Sequence, residues 1–236
     1  MNGNTGKTGQ LQSVATALRI LRMYSLNNPE WGVSETARLL NISKSSAHRL
    51  MNTLAQFGYL HKNEKSQKYR LGTRILTLAG TITAHLDVHR ESLPILEALT
   101  EEFNEASNLA VLEDTYTVDL LKVECKHTIR TKSHVGQRNP AHCTSSGKVI
   151  LAYQPPKIVQ KVLDHGLLPY GPNTITDPLK FRQTLQDVKR QGYAISIDEI
   201  NEGIFSVAAP IFDYTGHVVA AVSVVAPKYR VREELV

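Results

Sequence analysis

A run of short hydroxyl and basic side chains follows Ser43, at the start of a predicted helix. Four apolar residues recur there at positions i, i+3, i+4 and i+7: Ala47, Leu50, Met51 and Leu54. The residues outside this apolar stripe are Lys44, Ser45, Ser46, His48, Arg49 and Asn52. Short serines permit close approach to base edges, and Arg49 or His48 can reach guanine acceptors or phosphate. The pattern favours a helix that contacts double-stranded DNA, with a three-helix bundle bearing a solvated polar face as the alternative.

Histidine and cysteine side chains are frequent in the middle of the chain, which raises the question of metal or covalent chemistry. They are Cys125, His127, His134, His142 and Cys143. No spacing among them specifies four zinc ligands. His142 and Cys143 are adjacent, so they point to opposite faces of an extended chain, and no carboxylate is placed to orient the histidine. Gly136 and Gly147 lack the spacing of a phosphate-binding loop. We therefore expect no metal site, no catalytic residues and no cofactor.

The predicted DNA-contacting helix needs neighbours that hold it at the surface. A first helix is predicted from about Gln12 to Tyr24. A second, short helix has Ser34 as its expected N-cap and ends at Asn41, a residue type that tolerates the left-handed conformation. Two helices joined by about four residues are typical of a helix-turn-helix.

A basic hairpin is predicted beyond this helix. Gly58 ends the helix, and two short strands at 59–61 and 69–71 enclose a polar loop that carries Lys65 and Lys68. Such a hairpin would form a wing beside the helix-turn-helix, with both lysines available for phosphate contacts.

Net charge differs between the two parts of the chain. The whole chain has 236 residues and a formal net charge of +5. Residues 1–75 hold 11 Lys/Arg and 3 Asp/Glu, a net charge of +8, whereas residues 76–236 carry −3. This division suggests a polyanion-binding module attached to a module with a different partner. Since there are only two cysteines and no apolar stretch long enough to cross a bilayer, we expect a cytoplasmic protein with no membrane partner.

A linker helix is predicted between these two parts. From Thr73 to about Asp87 the chain carries an apolar stripe composed of Ile75, Leu78, Ala79, Ile82 and Leu86. Pairing with the same helix of a second subunit would place two DNA-contacting helices on one two-fold axis. Packing of the stripe on its own chain is the alternative.

The remainder of the chain predicts an α+β domain around an antiparallel sheet. A helix is expected over 88–105, with an apolar face of Leu93, Leu96, Leu99 and Phe103. Strands are expected at 108–112, 118–123, 193–197, 205–212 and 217–225. Helices are expected after Thr144 and between Pro178 and Gln191.

Three segments, taken together, resemble one known family. They are VSETARLLNISKSSAHR at 33–49, VGQRNPAHCTSSGK at 135–148, and the terminal run from Gly192-Tyr193 through Glu202-Gly203 to Val207-Ala208-Ala209-Pro210. In this order and spacing they look like the IclR family of bacterial transcriptional regulators. The resemblance implies a winged helix-turn-helix, a linker helix that dimerises and a C-terminal effector-binding domain similar to GAF sensors. It also implies homodimers, or tetramers built from two dimers.

The resemblance implies domain limits and an effector pocket. The limits are a flexible tail at 1–11, a DNA-binding domain at 12–72, a linker helix at 73–88 and an effector-binding domain at 89–236. In the family's pocket, two backbone amides ahead of a Gly-Lys pair hold a ligand carboxylate, and these positions are Ser145 and Ser146 here. The remaining pocket positions fall at Thr128, Thr131, Asn139, Ser196, Ile204, Ser206 and Ser223. The chain departs from the family's usual residues at Ser196, where relatives often carry an acid, and at Val225.

The expected function follows from these features. The hydroxyl-rich pocket positions favour a small hydroxylated carboxylic acid, such as a sugar acid or keto acid, over a benzoate-like ligand. The protein is expected to be a ligand-responsive regulator, a repressor of a catabolic operon that binds a pseudo-palindromic operator. The alternative is a metabolite-binding module or enzyme whose basic N-terminal part serves assembly.

Overall fold

The computed structural model describes residues 10–84, 87–131 and 133–231. Contacts divide the chain into two compact units, Met1–His85 and Leu86–Val236. Residues 1–9 of the predicted tail, and His85 and Leu86 of the predicted linker, lie outside the described residues. Within the described ranges, no helix is long and apolar enough to span a bilayer.

The N-terminal unit consists of helices followed by a hairpin and a last helix. Its elements are α1 (Gln12–Leu21), α2 (Val33–Leu40), α3 (Lys44–Gln56), β1 (Leu60–Lys62), β2 (Tyr69–Leu71) and α4 (Arg74–Ala84). Ile20, Met51, Leu60 and Tyr69 are buried together and join α1, α3 and the hairpin. The backbone of Trp31 pairs with Tyr69 through two hydrogen bonds of 2.9 and 2.8 Å, which extends the hairpin toward the start of α2. The winged helix-turn-helix prediction is confirmed.

The predicted N-cap of α2 is wrong by two residues. The helix begins at Val33 with Gly32 as N-cap, and the Gly32 amide donates to Oε2 of Glu35 at 2.9 Å. The Glu35 carboxylate reaches back over the first turn, so Ser34 is not needed as a cap. The turn that follows is as predicted: Asn41 has a φ of 52°, and Ser43 Oγ accepts from the Ser46 amide at 3.1 Å.

The C-terminal unit is built on a six-stranded antiparallel sheet. Its strands are β3 (Ala106–Glu113), β4 (Tyr116–Val123), β5 (Arg138–Pro140), β6 (Ala194–Ile197), β7 (Ile204–Phe212) and β8 (Val218–Pro227), in the order β5-β4-β3-β8-β7-β6. Its helices are α5 (Asp87–Phe103), α6 (Ser145–Ala152), α7 (Pro156–His165) and α8 (Pro178–Gln191). Short 3-10 turns lie at Ala141–Cys143 and Lys228–Arg230. The predicted α+β class is confirmed.

The predicted apolar face of α5 is partly wrong. Leu93 and Phe103 are 39% and 45% exposed, whereas Ser92, Leu96 and Thr100 are buried. Ser107 of β3 lies 2.8 Å from the Thr100 hydroxyl and donates to the Leu96 carbonyl at 2.8 Å. Hydroxyl groups therefore form part of the contact between α5 and the sheet, which apolar periodicity cannot detect.

One helix, α7, was not expected. It starts at Pro156, after Pro155 as N-cap, and buries Val159 and Val162 in a cluster with Phe181 of α8. Ile158, Val159, Val162 and Leu163 share one face of this helix, so its apolar spacing was a signal that could have identified it.

Candidate functional site

The first candidate site is the outer face of α3. All six residues predicted to lie outside the apolar stripe are exposed, while Ala47 and Met51 are fully buried. The Ser43 hydroxyl lies 3.0 Å from Ser45 Oγ and 2.8 Å from Ser46 Oγ, so the first turn is a compact hydroxyl cluster. The face offers small polar groups at its start and longer cationic groups one turn later.

A groove in the N-terminal unit joins α3 to the wing. Its lining includes Lys44, Ser45, His48 and Arg49 of α3, and Lys62, Ser66, Gln67 and Lys68 of the hairpin. The groove thus brings together five of the eight predicted DNA-contacting residues. Ser46, Asn52 and Lys65 lie outside its lining, although each is exposed. Lys62 was missed; its position at the end of a strand in a basic hairpin could have identified it.

Lys68 has a structural partner in addition to its place in the groove. Its Nζ lies 3.3 Å from Oε1 of Glu35, the residue that holds the start of α2. The Gly32 amide and then Lys68 lower the pKa of the Glu35 carboxyl. Lys68 is therefore partly neutralised, while Lys65 carries no ion pair among the described residues and extends from the wing loop.

The second candidate site is a cavity of about 260 Å³ in the C-terminal unit. Seven predicted pocket residues line it: Thr131, Asn139, Ser145, Ser146, Ile204, Ser206 and Ser223. Further lining residues that were not predicted are Asn108, Thr117, Asp119, Ser133, Gln137, Thr144, Ile200, Asn201 and Glu202, together with Val225. Residues from five strands (β3, β4, β5, β7 and β8), the segment before β5, the start of α6 and the loop after β6 thus surround one space.

Ser145 and Ser146, the first two residues of α6, line this cavity. Thr144 caps the helix by accepting from the Gly147 amide at 3.0 Å, and Ser145 Oγ donates to Ser206 Oγ of β7 at 2.8 Å. A Cβ at Gly147 would lie 2.0 Å from the Ala141 carbonyl oxygen, so glycine permits the close approach of the preceding 3-10 turn. The first amides of a helix have no acceptor within it and carry positive potential, which suits an anion.

A buried ion pair holds this helix start against the sheet. Lys148 and Glu199 are 2% and 6% exposed, and the ammonium group contacts both the Glu199 carboxylate and, at 2.6 Å, the Ile195 carbonyl. Burial raises the pKa of Glu199, and Lys148 opposes part of that rise. The pair links α6 to the loop that contributes Ile200, Asn201 and Glu202 to the cavity.

Two predicted pocket residues lie away from the cavity lining. Ser196 is buried, but its hydroxyl donates to the Cys143 carbonyl at 3.3 Å, which ties β6 to the 3-10 turn before α6. Thr128 is exposed in the segment after β4, as are Ile129 and Arg130, whereas Thr131 is half-buried. Neither residue belongs to the lining of the cavity.

Asp119 of β4 is a buried titratable residue of this cavity that the sequence analysis did not identify. It is 8% exposed, and burial raises the pKa of its carboxyl to about 7, against a small opposing effect of Lys122. An acid in the otherwise apolar run from Val118 to Leu121 was the available signal, because charged residues rarely occupy a buried strand without a role.

The histidine and cysteine side chains of the C-terminal unit bear on whether it could bind a metal ion or supply a nucleophile. Among the described residues, no group of three or more His, Cys, Asp or Glu side chains could hold a metal ion. Cys143 is buried, and burial raises the pKa of its thiol to about 12. His142 Nε2 is 3.0 Å from the Leu168 carbonyl oxygen. The thiol is therefore protonated at neutral pH and a poor nucleophile.

Comparisons with known proteins agree with both units. The family model described as "IclR helix-turn-helix domain" matches residues 13–64, and the model described as "Bacterial transcriptional regulator IclR C-terminal" matches residues 80–235. The transcriptional repressor IclR of Escherichia coli is 28% identical over 232 residues, which covers 97% of this chain and 85% of the relative.

Solved structures give the same result. An IclR transcriptional regulator from Alicyclobacillus acidocaldarius has a TM-score of 0.85 and 27% identity, covering 96% of this chain and 92% of the other. An IclR homologue from Microbacterium hydrocarbonoxydans, in complex with 4-hydroxybenzoate, has a TM-score of 0.83 and 29% identity, covering 95% and 92%. With a family model matched over more than half of its length, this chain belongs to the IclR family of bacterial transcriptional regulators.

Proposed function

We propose that the chain regulates a catabolic operon as a repressor, with α3 in the major groove of a pseudo-palindromic operator and the wing on the adjacent phosphates. The observation that carries this proposal is the exposed face of α3, whose Lys44, His48 and Arg49 share a groove with the cationic wing. Recognition helices of this class read base edges from their first turns. The E. coli relative described as a repressor supports the direction of regulation.

Arg49→Ala is expected to weaken binding to the operator by about 1–3 kcal/mol and to relax base preference, because arginine pairs with guanine through two hydrogen bonds. The measurement is a fluorescence-anisotropy titration against a duplex selected from a random library and against unselected duplex. Equal losses on both duplexes would contradict base readout by Arg49.

Lys65→Ala provides the matched control, since Lys65 is an exposed cation of the wing loop outside the α3 groove. It should weaken binding to all sequences equally and reduce the slope of log K against log salt by about one. Lys68 is less suitable as a control because its ion pair with Glu35 supports α2.

The proposed effector is a small carboxylic acid whose carboxylate accepts from the amides of Ser145 and Ser146. The cavity lining supports this assignment, because its polar residues greatly outnumber its aliphatic ones, Ile200, Ile204 and Val225. The 4-hydroxybenzoate complex of the Microbacterium homologue supports the carboxylic acid class alone, since that ligand is also a small carboxylic acid. A helix start can bind the carboxylate without a dedicated arginine.

Ser145→Pro is expected to lower the affinity for a carboxylate effector about 10–100-fold, because it deletes one charge-assisted donor. Proline is tolerated at the first helical position, and Thr144 before it already has an extended backbone with ψ of 147°. Calorimetry on the full chain with a panel of small acids measures the effect.

Ser145→Ala is the control, since it keeps the amide and removes only the hydroxyl bonded to Ser206. It should cost about 0.5–1.5 kcal/mol of affinity at most. Full affinity in Ser145→Pro, with the fold intact by circular dichroism, would contradict binding at the α6 amides.

A further inference from the structure

The Asp119 carboxylate lacks a hydrogen-bond donor among the described residues, although it lines the effector cavity. Its backbone is fully used: the amide donates to the Gln137 carbonyl and its own carbonyl accepts from the Gly136 amide. A buried carboxylate without a donor is costly, so such a group is normally found paired or at a binding site.

Lys122, the cation whose charge lowers the pKa of Asp119, does not donate to its carboxylate. Lys122 is also on β4, and its ammonium donates to the carbonyls of Thr131 and Ser133 at 3.4 and 3.0 Å and pairs with Glu124 at 2.8 Å. Its side chain is only 5% exposed, so these three acceptors hold it in place. Asp119 therefore keeps free acceptor capacity beside a lysine that is already committed.

Neighbouring lining residues also have polar atoms without partners. Oδ1 of Asn108, which is 4% exposed, has no hydrogen-bond partner among the described residues, and neither do the hydroxyls of Thr131 and Ser133. Asn108 lies on β3, the strand paired with β4. These atoms and the Asp119 carboxylate are hydrogen-bond acceptors and hydroxyls that belong to the sheet and to the loop before β5. The amides proposed to bind the ligand carboxylate belong to a different element, α6.

We propose that Asp119, assisted by Asn108, binds the hydroxyl-bearing end of the effector, so that this protein selects acyclic polyhydroxy carboxylic acids of the aldonic type. This inference rests on the proposed function, because the carboxylate of the same molecule lies on the α6 amides. Two adjacent hydroxyls can each donate to one oxygen of Asp119, and such bonds to an ionised acceptor are strong. Hydroxyls can also accept from the amides and hydroxyls of the lining, which an ammonium group cannot do.

The charges around Asp119 also favour a neutral polyol end. Glu202 on the loop after β6 and an ionised Asp119 would both repel a second carboxylate, so a neutral polyol end is favoured over a dicarboxylate. Among the described residues of the packed elements, Arg138 of β5 pairs with Glu113 of β3 and Lys148 of α6 pairs with Glu199, and His134 is a further titratable residue in the segment before β5. Ligand hydroxyls that donate to Asp119 stabilise its ionised form, so binding should strengthen as pH rises through about 7.

The test is calorimetry on the full chain with glycerate, xylonate and gluconate, against pyruvate, 4-hydroxybenzoate and serine as acids without a polyol end. The expected result is tightest binding for an aldonate, with affinity rising between about pH 6 and about pH 8. Asp119→Asn should lower aldonate affinity about 10–100-fold and remove this pH dependence, with little effect on pyruvate. Asn108→Ala, a second variant, should give a smaller loss for the aldonate alone.

Two outcomes overturn the inference and leave the effector site in place. In the first, pyruvate, 4-hydroxybenzoate or serine binds at least as tightly as every aldonate, and Ser145→Pro weakens that binding. The other is aldonate binding that Asp119→Asn leaves unchanged at both pH values. If Ser145→Pro affects no acid at all, the proposed carboxylate site itself is wrong, and the inference fails with it.

Discussion

Lys148→Met is expected to destabilise the C-terminal unit by about 3–5 kcal/mol at neutral pH, because it leaves Glu199 buried without its cation. Methionine matches the length of the lysine stem and avoids a large cavity. Lys148 is 2% exposed and bonds both Glu199 and the Ile195 carbonyl, so its loss removes contacts with β6 and with the cavity loop. Urea denaturation followed by circular dichroism measures the free energy of unfolding.

The control is the double variant Lys148→Met, Glu199→Gln, which removes both charges and should recover most of the lost stability.

The stability of the single variant should depend on pH in a way that the stability of the double variant does not. Burial raises the pKa of Glu199 above its ordinary value, and without Lys148 the rise increases. The folded state then binds the proton more tightly than the unfolded state, so stability falls as pH rises. A deficit in Lys148→Met that is equal at about pH 5.5 and about pH 8 would contradict an uncompensated Glu199 charge.

The elements of both units were largely predictable from local sequence. Apolar spacing identified α3 through Ala47 and Met51, and turn chemistry identified its start at Ser43. The Asp177-Pro178 pair marked α8, where Asp177 accepts from the Leu179 amide at 2.8 Å. These signals succeed because capping and one-sided burial are determined within a few residues.

Contacts between distant segments limited the prediction of the cavity. Asn108 and Asp119 lie on consecutive strands, but Glu202 is far from both in sequence, and only the return of the loop after β6 brings it to the same space. Ser196 was assigned to the pocket through the family resemblance, and the contact of its hydroxyl with the Cys143 carbonyl, 53 residues away, could not be read from local sequence. Side-chain partners across the fold, rather than local propensity, determine which residues line the site.

Helix α4 carries exposed apolar side chains, of which Leu78 and Ile82, four residues apart, lie on one face. Leu76, Leu78 and Ile82 are 71%, 49% and 59% exposed. Three exposed large aliphatic residues are unusual on a helix that is only 11 residues long. We propose that a second copy of this helix covers Leu78 and Ile82 in a dimer. Two DNA-binding units on one two-fold axis would then contact two half-sites of the operator.

Leu78→Glu with Ile82→Glu is expected to give a folded monomer whose operator affinity falls about 100–10,000-fold, because two linked half-site contacts become independent. The control is Thr77→Glu with Thr81→Glu, which puts the same charges at the same i, i+4 spacing on exposed polar positions of the helix. Light scattering measures the mass, and anisotropy measures operator affinity. The control should remain a dimer with a small loss of operator affinity.

An unchanged mass in the Leu78, Ile82 variant would place the interface elsewhere. A monomer that binds the full operator at the original affinity would contradict two-fold reading of the DNA, because the second half-site would then contribute nothing.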